Sequence, residues 1–210
     1  MQTIEVVYRH RDFIIIHKPC GISVHKDNAQ TPFTTTLAKQ LGVPKLWLVH
    51  RLDKVTSGLL ILALNAQSAV IFGELFRQHK VQKTYLALAC HKPKKKQGLI
   101  IGDMQKARRG AWKLTQSREN PAITRFISQS LAPNLRLFTL FPQTGKTHQL
   151  RVAMKSLGSP ILGDSLYGGA VADRVYLHAY QLSFEYNGEA INVTAMPKCG
   201  EFWANISLHK

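Results

Sequence analysis

Short β-branched and aliphatic runs, each closed by a turn signal within a few residues, recur from one end of the chain to the other. "IEVVY" and "FIIIHKP" flank the polar turn Arg9 to Asp12 and stop at the Pro-Cys-Gly break of residues 19–21. Runs of this length and composition favour extended backbone, and the Pro, Gly and Asn between them turn the chain back on itself. "AITRFISQS" and "LRLFTLFP" read as an antiparallel pair around Pro133 and Asn134. "VYLHAYQLSFEY" and "EAINVTA" read as another, joined by Asn187-Gly188, a dipeptide that tolerates the positive φ of a tight hairpin. "LLILAL" reads as a buried strand. "VQKTYLALAC" alternates, which predicts Leu86, Leu88 and Cys90 on one buried face and Lys83 and Tyr85 on the other.

Helical spacing shows in two segments. "AQSAVIFGELFRQHK" places Ala69, Phe72 and Phe76 on one stripe with Leu75 beside them, and is expected to pack on a sheet. In "TGKTHQLRVAMKSLG", Thr147 is expected to cap a helix whose apolar face is Leu150, Ala153 or Met154, and Leu157, with Gly158 at its end. His148 and Arg151 share another face of it. Strands outnumber helices, most connections are hairpins, and no repeat, linker or composition break divides the 210 residues. The expected fold is a single α+β domain over residues 1–210, with a largely antiparallel central sheet flanked by helices.

Charge narrows the partners. Lys and Arg number 28 against 12 Asp and Glu, a net +16, so the chain attracts polyanions, nucleic acid first among them. The densest basic stretch, residues 91–113, holds Lys92, Lys94, Lys95, Lys96, Lys106, Arg108, Arg109 and Lys113 against the single acid Asp103. It reads either as a solvated hairpin or as an arm that grips phosphates, and the overall charge favours the arm. A membrane is a poorer partner, since no basic amphipathic helix or lipidation signal is evident and "LLILAL" is too short to span a bilayer. Cys20, Cys90 and Cys199 form no C-x-x-C, and the histidines form no H-E-x-x-H, so neither disulfides nor a metal are expected, in keeping with the cytoplasm. "TGKT" resembles the end of a phosphate-binding loop, but Leu140 stands where the loop's first glycine belongs, which argues against an NTPase.

One carboxylate stands out. In "HRLDKVTSGLL", residues 50–60, Asp53 lies in a polar seam between the apolar "LWLV" and "LILAL". Aspartate ahead of Thr56, Ser57 and Gly58 is a turn former that ordinarily bonds its own backbone. The flanking apolar segments favour instead the floor of a cleft, where a part-buried carboxylate needs a cation that Arg51 or Arg151 can supply. A paired, ionised aspartate facing a basic surface is a nucleophile candidate, able to attack an electron-poor sugar or base carbon.

These residues resemble the hallmark motif of the RluA-type pseudouridine synthases, which isomerise uridine to pseudouridine in RNA. "KPCGISVH" (18–25) is similar to the family's first block, "KTYLAL" (83–88) to its tyrosine-bearing strand, "TGKTHQLR" (144–151) to its third block, and "PILGDSLYG" (160–168) and "LHAYQLSF" (177–184) to its closing ones. Six matches in family order span most of the chain. The resemblance implies Asp53 as the catalytic aspartate, Tyr85 as the residue that stacks on the target base and a candidate for moving the C5 proton, and Arg151 as the ion-pair partner of the aspartate. It also implies that Arg51 enters the RNA helix as the target nucleotide is flipped out, with a structural pairing with Asp53 as a close second reading. His50, Lys146, His148 and the basic Lys94, Lys95, Lys96, Arg108 and Arg109 complete the expected RNA contacts.

The implied reaction breaks the N1 glycosidic bond, rotates the uracil and rejoins it through C5, so it needs no cofactor and no metal. Attack on C1′, attack on C6, or removal of a sugar proton to give a glycal would each use the same carboxylate. Two residues depart from the family pattern: Lys146 stands where Arg is usual, and Ala153 where His is frequent. Lysine is a point charge rather than a bidentate fork, so the grip on phosphate is expected to differ. The blocks begin close to Met1 and leave no room for the S4-type RNA-binding domain of many relatives. Recognition of a tRNA or rRNA stem-loop is therefore expected from the catalytic domain, without an obligatory protein partner. The alternative is a non-catalytic RNA-binding or RNA-remodelling protein of the same fold; Asp53, Tyr85 and Arg151 together favour the enzyme.

Overall fold

A computed structural model describes residues 3–24 and 32–206; His25, the last residue of the KPCGISVH block, lies outside the described residues. In chain order the strands are β1 (Glu5–Arg9), β2 (Phe13–Lys18), β3 (Trp47–Leu48), β4 (Ser57–Ala63), β5 (Gln82–Ala89), β6 (Gln97–Gly102), β7 (Met104–Lys106), β8 (Trp112–Leu114), β9 (Ala122–Ala132), β10 (Leu135–Pro142), β11 (Leu177–Tyr186) and β12 (Glu189–Thr194). The α-helices are α1 (Phe33–Leu41), α2 (Ala66–Arg77) and α3 (Gln149–Ser156). This is the α+β, largely antiparallel class that the hairpin signals predict. Packing divides the chain into two compact units, Met1–Gln82 with Ala179–Met196, and Lys83–His178 with Pro197–Lys210.

In the first unit the strand order is β1-β2-β4-β11, with β12 on β11 and the short β3 on the end of β4. Every residue of β2 and β4 is buried, which explains why both read as unbroken apolar runs rather than alternating ones. Asn65 caps α2 by accepting the Ser68 N–H at 2.8 Å, and the helix lays Phe72 into a ring cluster with Phe13, Phe184 and Tyr186 at centroid distances of 5.0, 5.5 and 5.3 Å. Ala69 and Phe76 of the expected stripe are only half-buried, while Ser68 is buried because its hydroxyl donates to the Asp12 carbonyl at 2.8 Å. Helix α1 was not expected: "FTTTLAKQL" opens on three threonines, poor helix formers, and buries only Leu37 and Ala38. Gly42, in the left-handed region at φ 67°, ends it.

In the second unit β5, β10, β9 and β6 form consecutive antiparallel pairs. The register sets Tyr85, Leu140 and Phe126 side by side on one face, with Thr124 on the same face two residues along β9. Helix α3 covers that face, since the Gln149 amide donates to the Thr124 hydroxyl at 3.0 Å. Leu86, Ala87, Leu88 and Ala89 are all buried, so β5 is covered on both faces over that stretch and not on the one face its alternation suggests. The basic stretch is partly sheet: β6 joins the larger sheet, while β7 and β8 form a separate two-stranded hairpin with Arg108 and Arg109 at its tip.

The start of α3 corrects another expectation. His148, not Thr147, occupies the cap position, in the left-handed region at φ 56°, and makes no side-chain capping bond. Gln149 takes over that work: its Oε1 accepts from the Lys146 N–H at 3.0 Å and the Thr144 hydroxyl at 2.8 Å, and its Nε2 donates to the Ile123 carbonyl at 3.1 Å. A buried amide with all these partners fixes the loop before α3 to the sheet beneath it. The Lys146 amide is thereby engaged within the protein, so the loop does not offer it to a phosphate as a nucleotide-binding nest would.

Candidate active site

Asp53 sits in the first unit on the stretch that leads into β4. Its carbonyl accepts the Thr56 N–H at 3.0 Å, closing a turn between buried Leu52 and buried Thr56 and Ser57, and its side chain is half-buried. Gly58, the second residue of β4, follows at φ 114°, and a Cβ there would lie 2.2 Å from the Ala179 carbonyl oxygen, so only glycine lets β4 approach β11 this closely just after the turn. Before the turn, His50 accepts the Ile61 N–H through Nε2 at 2.8 Å and stacks on Phe76 at 4.7 Å. The imidazole thus anchors the approach to Asp53. Arg51 and Lys54 are exposed.

The KPCGISVH block supports this turn through a residue that sequence reading passed over. Lys18 is fully buried, and its ammonium donates to the carbonyls of Pro19 and Ile22, each at 2.9 Å, and of Lys54 at 3.4 Å. Gly21 N–H reaches the same Lys54 carbonyl at 2.7 Å. One buried cation therefore gathers the loop after β2 and the turn after Asp53. A charge inside the apolar run FIIIHKP was the available signal. Lys18→Met keeps the stem but strips three carbonyls of a donor, and is expected to cost roughly 1–3 kcal/mol, lowering the thermal midpoint by about 2–12 °C; an unchanged midpoint would show that these bonds carry no stability.

The second unit holds Tyr85, half-buried on the α3 side of β5, and Lys83 two residues before it on the same face. Lys83 donates to the Thr144 carbonyl at 3.2 Å, and burial pushes its ammonium below the usual lysine range. On α3, Arg151 makes a bidentate fork to Asp164, Nε to Oδ2 at 2.7 Å and Nη2 to Oδ1 at 2.8 Å; the two residues are 6% and 1% exposed. Asp164 belongs to the PILGDSLYG block and follows Gly163, at φ 82°, where a Cβ would fall 1.7 Å from the Arg174 carbonyl oxygen. Sequence reading considered only Asp53 as a partner for Arg151. Asp164 was missed because nothing in its local spacing points at α3.

Tyr167 completes the surroundings of Arg151. The guanidinium lies over the phenol ring at 4.9 Å, a cation–π distance, and the hydroxyl meets His148 Nδ1 at 2.8 Å and accepts the Trp112 N–H at 3.0 Å. His148 and Arg151, expected on one face, thus meet at this ring. Lys146 donates to Asn120 Oδ1 at 2.6 Å, on a loop organised by Asp103, whose carboxylate accepts the backbone N–H groups of Glu119 at 3.1 Å and Asn120 at 2.9 Å. Lys94, Lys95, Lys96, Arg108 and Arg109 are exposed. Among the described residues no group of three or more His, Cys, Asp or Glu could hold a metal ion, and no helix is long and apolar enough to cross a membrane.

Asp53 thus lies half-buried on a braced turn of the first unit, while in the second unit Tyr85 lies on a covered sheet face and Arg151 is buried and locked to a carboxylate. The model of the RNA pseudouridylate synthase family matches residues 12–156. An RNA pseudouridine synthase of Haemophilus influenzae is 70% identical over 95% of this chain and 90% of its own length. At 36% identity stands a ribosomal large subunit pseudouridine synthase C of Rickettsia bellii, over 90% of this chain and 67% of its own, and at 31% a tRNA pseudouridine synthase C of Haemophilus ducreyi, over 95% and 93%. Among solved structures, Human RNA Pseudouridylate Synthase Domain Containing 4 superposes with a TM-score of 0.75 at 28% identity, over 95% of this chain and 90% of that one. With motifs, fold and relatives in agreement, the chain belongs to the RNA pseudouridylate synthase family, enzymes that isomerise uridine to pseudouridine in RNA.

Proposed function

We propose that the protein isomerises a uridine in a structured tRNA or rRNA element in the cytoplasm, that its two units work as one catalytic domain, and that Asp53 is the acting carboxylate. The observation that carries this reading is the bracing of Asp53: its turn is closed by Thr56, backed by Lys18 and forced into place at Gly58. A rigidly held carboxylate on a chain of net charge +16 faces a substrate that is itself anionic, an arrangement of no use to a protein that only binds. Tyr85 offers a face on which a uracil out of its stack can rest. Arg151 is assigned as the cationic partner of the acting carboxylate, and its fork to Asp164 through Nε and Nη2 fixes the plane in which the guanidinium presents its charge. No bond of the reaction calls for an external electron or group: N1–C1′ breaks, C5–C1′ forms, the C5 proton leaves and N1 gains one.

Arg51 is assigned to the flipped-out nucleotide's place in the RNA. His50 is assigned to positioning, because its ring already holds Ile61 and Phe76. Lys146, His148 and the basic segment grip phosphates. Incubating unmodified tRNA and rRNA transcripts with the protein and resolving their nucleosides by liquid chromatography tests the assignment. Conversion of uridine to pseudouridine in one RNA class is the expected result; tight binding of both with no conversion would favour a remodelling protein. Neutralising Lys94, Lys95 and Lys96 together should weaken binding and lower the slope of log affinity against log salt by about 0.7–0.9 for each phosphate that is no longer neutralised. An unchanged slope would place RNA elsewhere on the surface.

A further inference from the structure

The hairpin formed by β7 and β8 stands apart from the larger sheet, carries its charge at an exposed tip, and is joined to Tyr167 just behind that tip, through Trp112, the residue paired with Lys106. That junction is built from opposite sides. On the hairpin side, the Trp112 N–H donates to the phenol oxygen at 3.0 Å, and the Trp112 ring lies beneath the Lys106 ammonium at 6.0 Å. On the α3 side, the same oxygen meets His148 Nδ1 at 2.8 Å, and the ring supports the Arg151 guanidinium at 4.9 Å. Tyr167 is 4% exposed. Its ring alone would fill the space; its hydroxyl adds nothing to packing and bonds both the arm and the helix that carries Arg151.

We propose that Tyr167 is a positioning residue through which the grip of the β7–β8 arm on RNA sets the orientation of Arg151. The proposal rests on the isomerase reading and adds a coupling to it. Asp164 holds the Nε–Nη2 edge of the guanidinium, and the phenol ring supports one of its faces, so a shift of the ring is passed to the guanidinium as a tilt about that edge. A phosphate drawn to Arg108 and Arg109 loads the arm, the Trp112 amide carries that load to the phenol oxygen, and the ring passes it on. An RNA that fails to seat on the arm leaves Arg151 less well aligned. Part of the selection among RNAs then appears in the rate of the bound complex as well as in affinity.

The test separates those two quantities. Single-turnover isomerisation at saturating RNA is measured for the wild type, Tyr167→Phe, Arg108→Ala/Arg109→Ala, and all three changes combined, with affinity measured alongside. Tyr167→Phe keeps the ring and removes only the bridging oxygen. We expect each parent variant to lose about 5- to 20-fold in saturated rate, and the combination to lose no more than the worse parent. Losses that multiply, or an arm variant that changes affinity alone, overturn the coupling. If the wild type converts no RNA, the isomerase reading fails separately and the coupling is decided by amide hydrogen exchange with unfractionated tRNA as the probe. Protection over residues 149–156 on binding, present in the wild type and lost in Tyr167→Phe, supports it; protection that persists in the variant, or is absent from the wild type, overturns it. Should Tyr167→Phe fail to fold, the same exchange measurement on the arm variant decides, with loss of that protection in support and its retention against.

Discussion

Asp53→Asn is expected to bind RNA as the parent does and to isomerise none of it, a loss on the order of 10⁴-fold or more in single-turnover rate. The exchange is isosteric, and the variant keeps the Asp53 backbone carbonyl that closes the turn, so the local fold should survive. Affinity should stay level or rise slightly, because a negative charge facing a polyanion has been removed. Measured together, rate and affinity distinguish a carboxylate that acts from one that merely shapes the loop. Activity within tenfold of the parent would remove Asp53 from the chemistry.

Removing one member of the Arg151–Asp164 pair should be the most destabilising of these changes. Both groups are almost wholly buried, so Arg151→Met leaves the Asp164 carboxylate uncompensated in the second unit, at a cost of roughly 3–5 kcal/mol, and Asp164→Leu strips Arg151 of its bidentate fork. For a chain of this size that is a fall of about 6–20 °C in thermal midpoint. The double variant Arg151→Met/Asp164→Leu replaces both charges with apolar groups and should recover most of that stability. With Arg151 acting as the proposed partner of the acting carboxylate, it should stay inactive. An active double variant would show that Arg151 is a structural residue only, and single variants with unchanged midpoints would show that the pair is not an anchor.

The hairpins were legible because their signals are local. Asn187 and Gly188 adopt φ 50° and 84°, the positive values a two-residue turn between β11 and β12 demands, and Asn134 at φ 55° turns β9 into β10. Helix α1 was not, because its apolar face is two residues wide and its threonines argue for a strand. The cap of α3 was misjudged for a related reason. Thr147 is the better capping residue by type, but the Gln149 amide, reaching to Thr144, Lys146, Ile123 and Thr124, decides where the helix begins, and those partners are up to 26 residues away.

The site divides along the same line. Asp53, Tyr85 and Arg151 each stand in a recognisable block. The residues that brace the Asp53 turn and Arg151, namely Lys18, Asp164 and Tyr167, act across distances in sequence that periodicity does not register. Lys18 bonds Lys54 across 36 residues, and Trp112 bonds Tyr167 across 55. A lysine in an apolar run and an aspartate directly after a glycine were visible as oddities. What they touch became visible only with the fold.

The most direct test of an Asp53-dependent isomerisation uses transcripts carrying tritium at uridine C5, since joining C5 to C1′ must release that hydrogen to solvent. Wild type and Asp53→Asn are compared side by side on tRNA and rRNA at concentrations where both are bound. The account predicts tritium release by the wild type, from one RNA class, and none above background by the variant. Equal release by both proteins, or binding by the wild type with no release from either RNA, would contradict it.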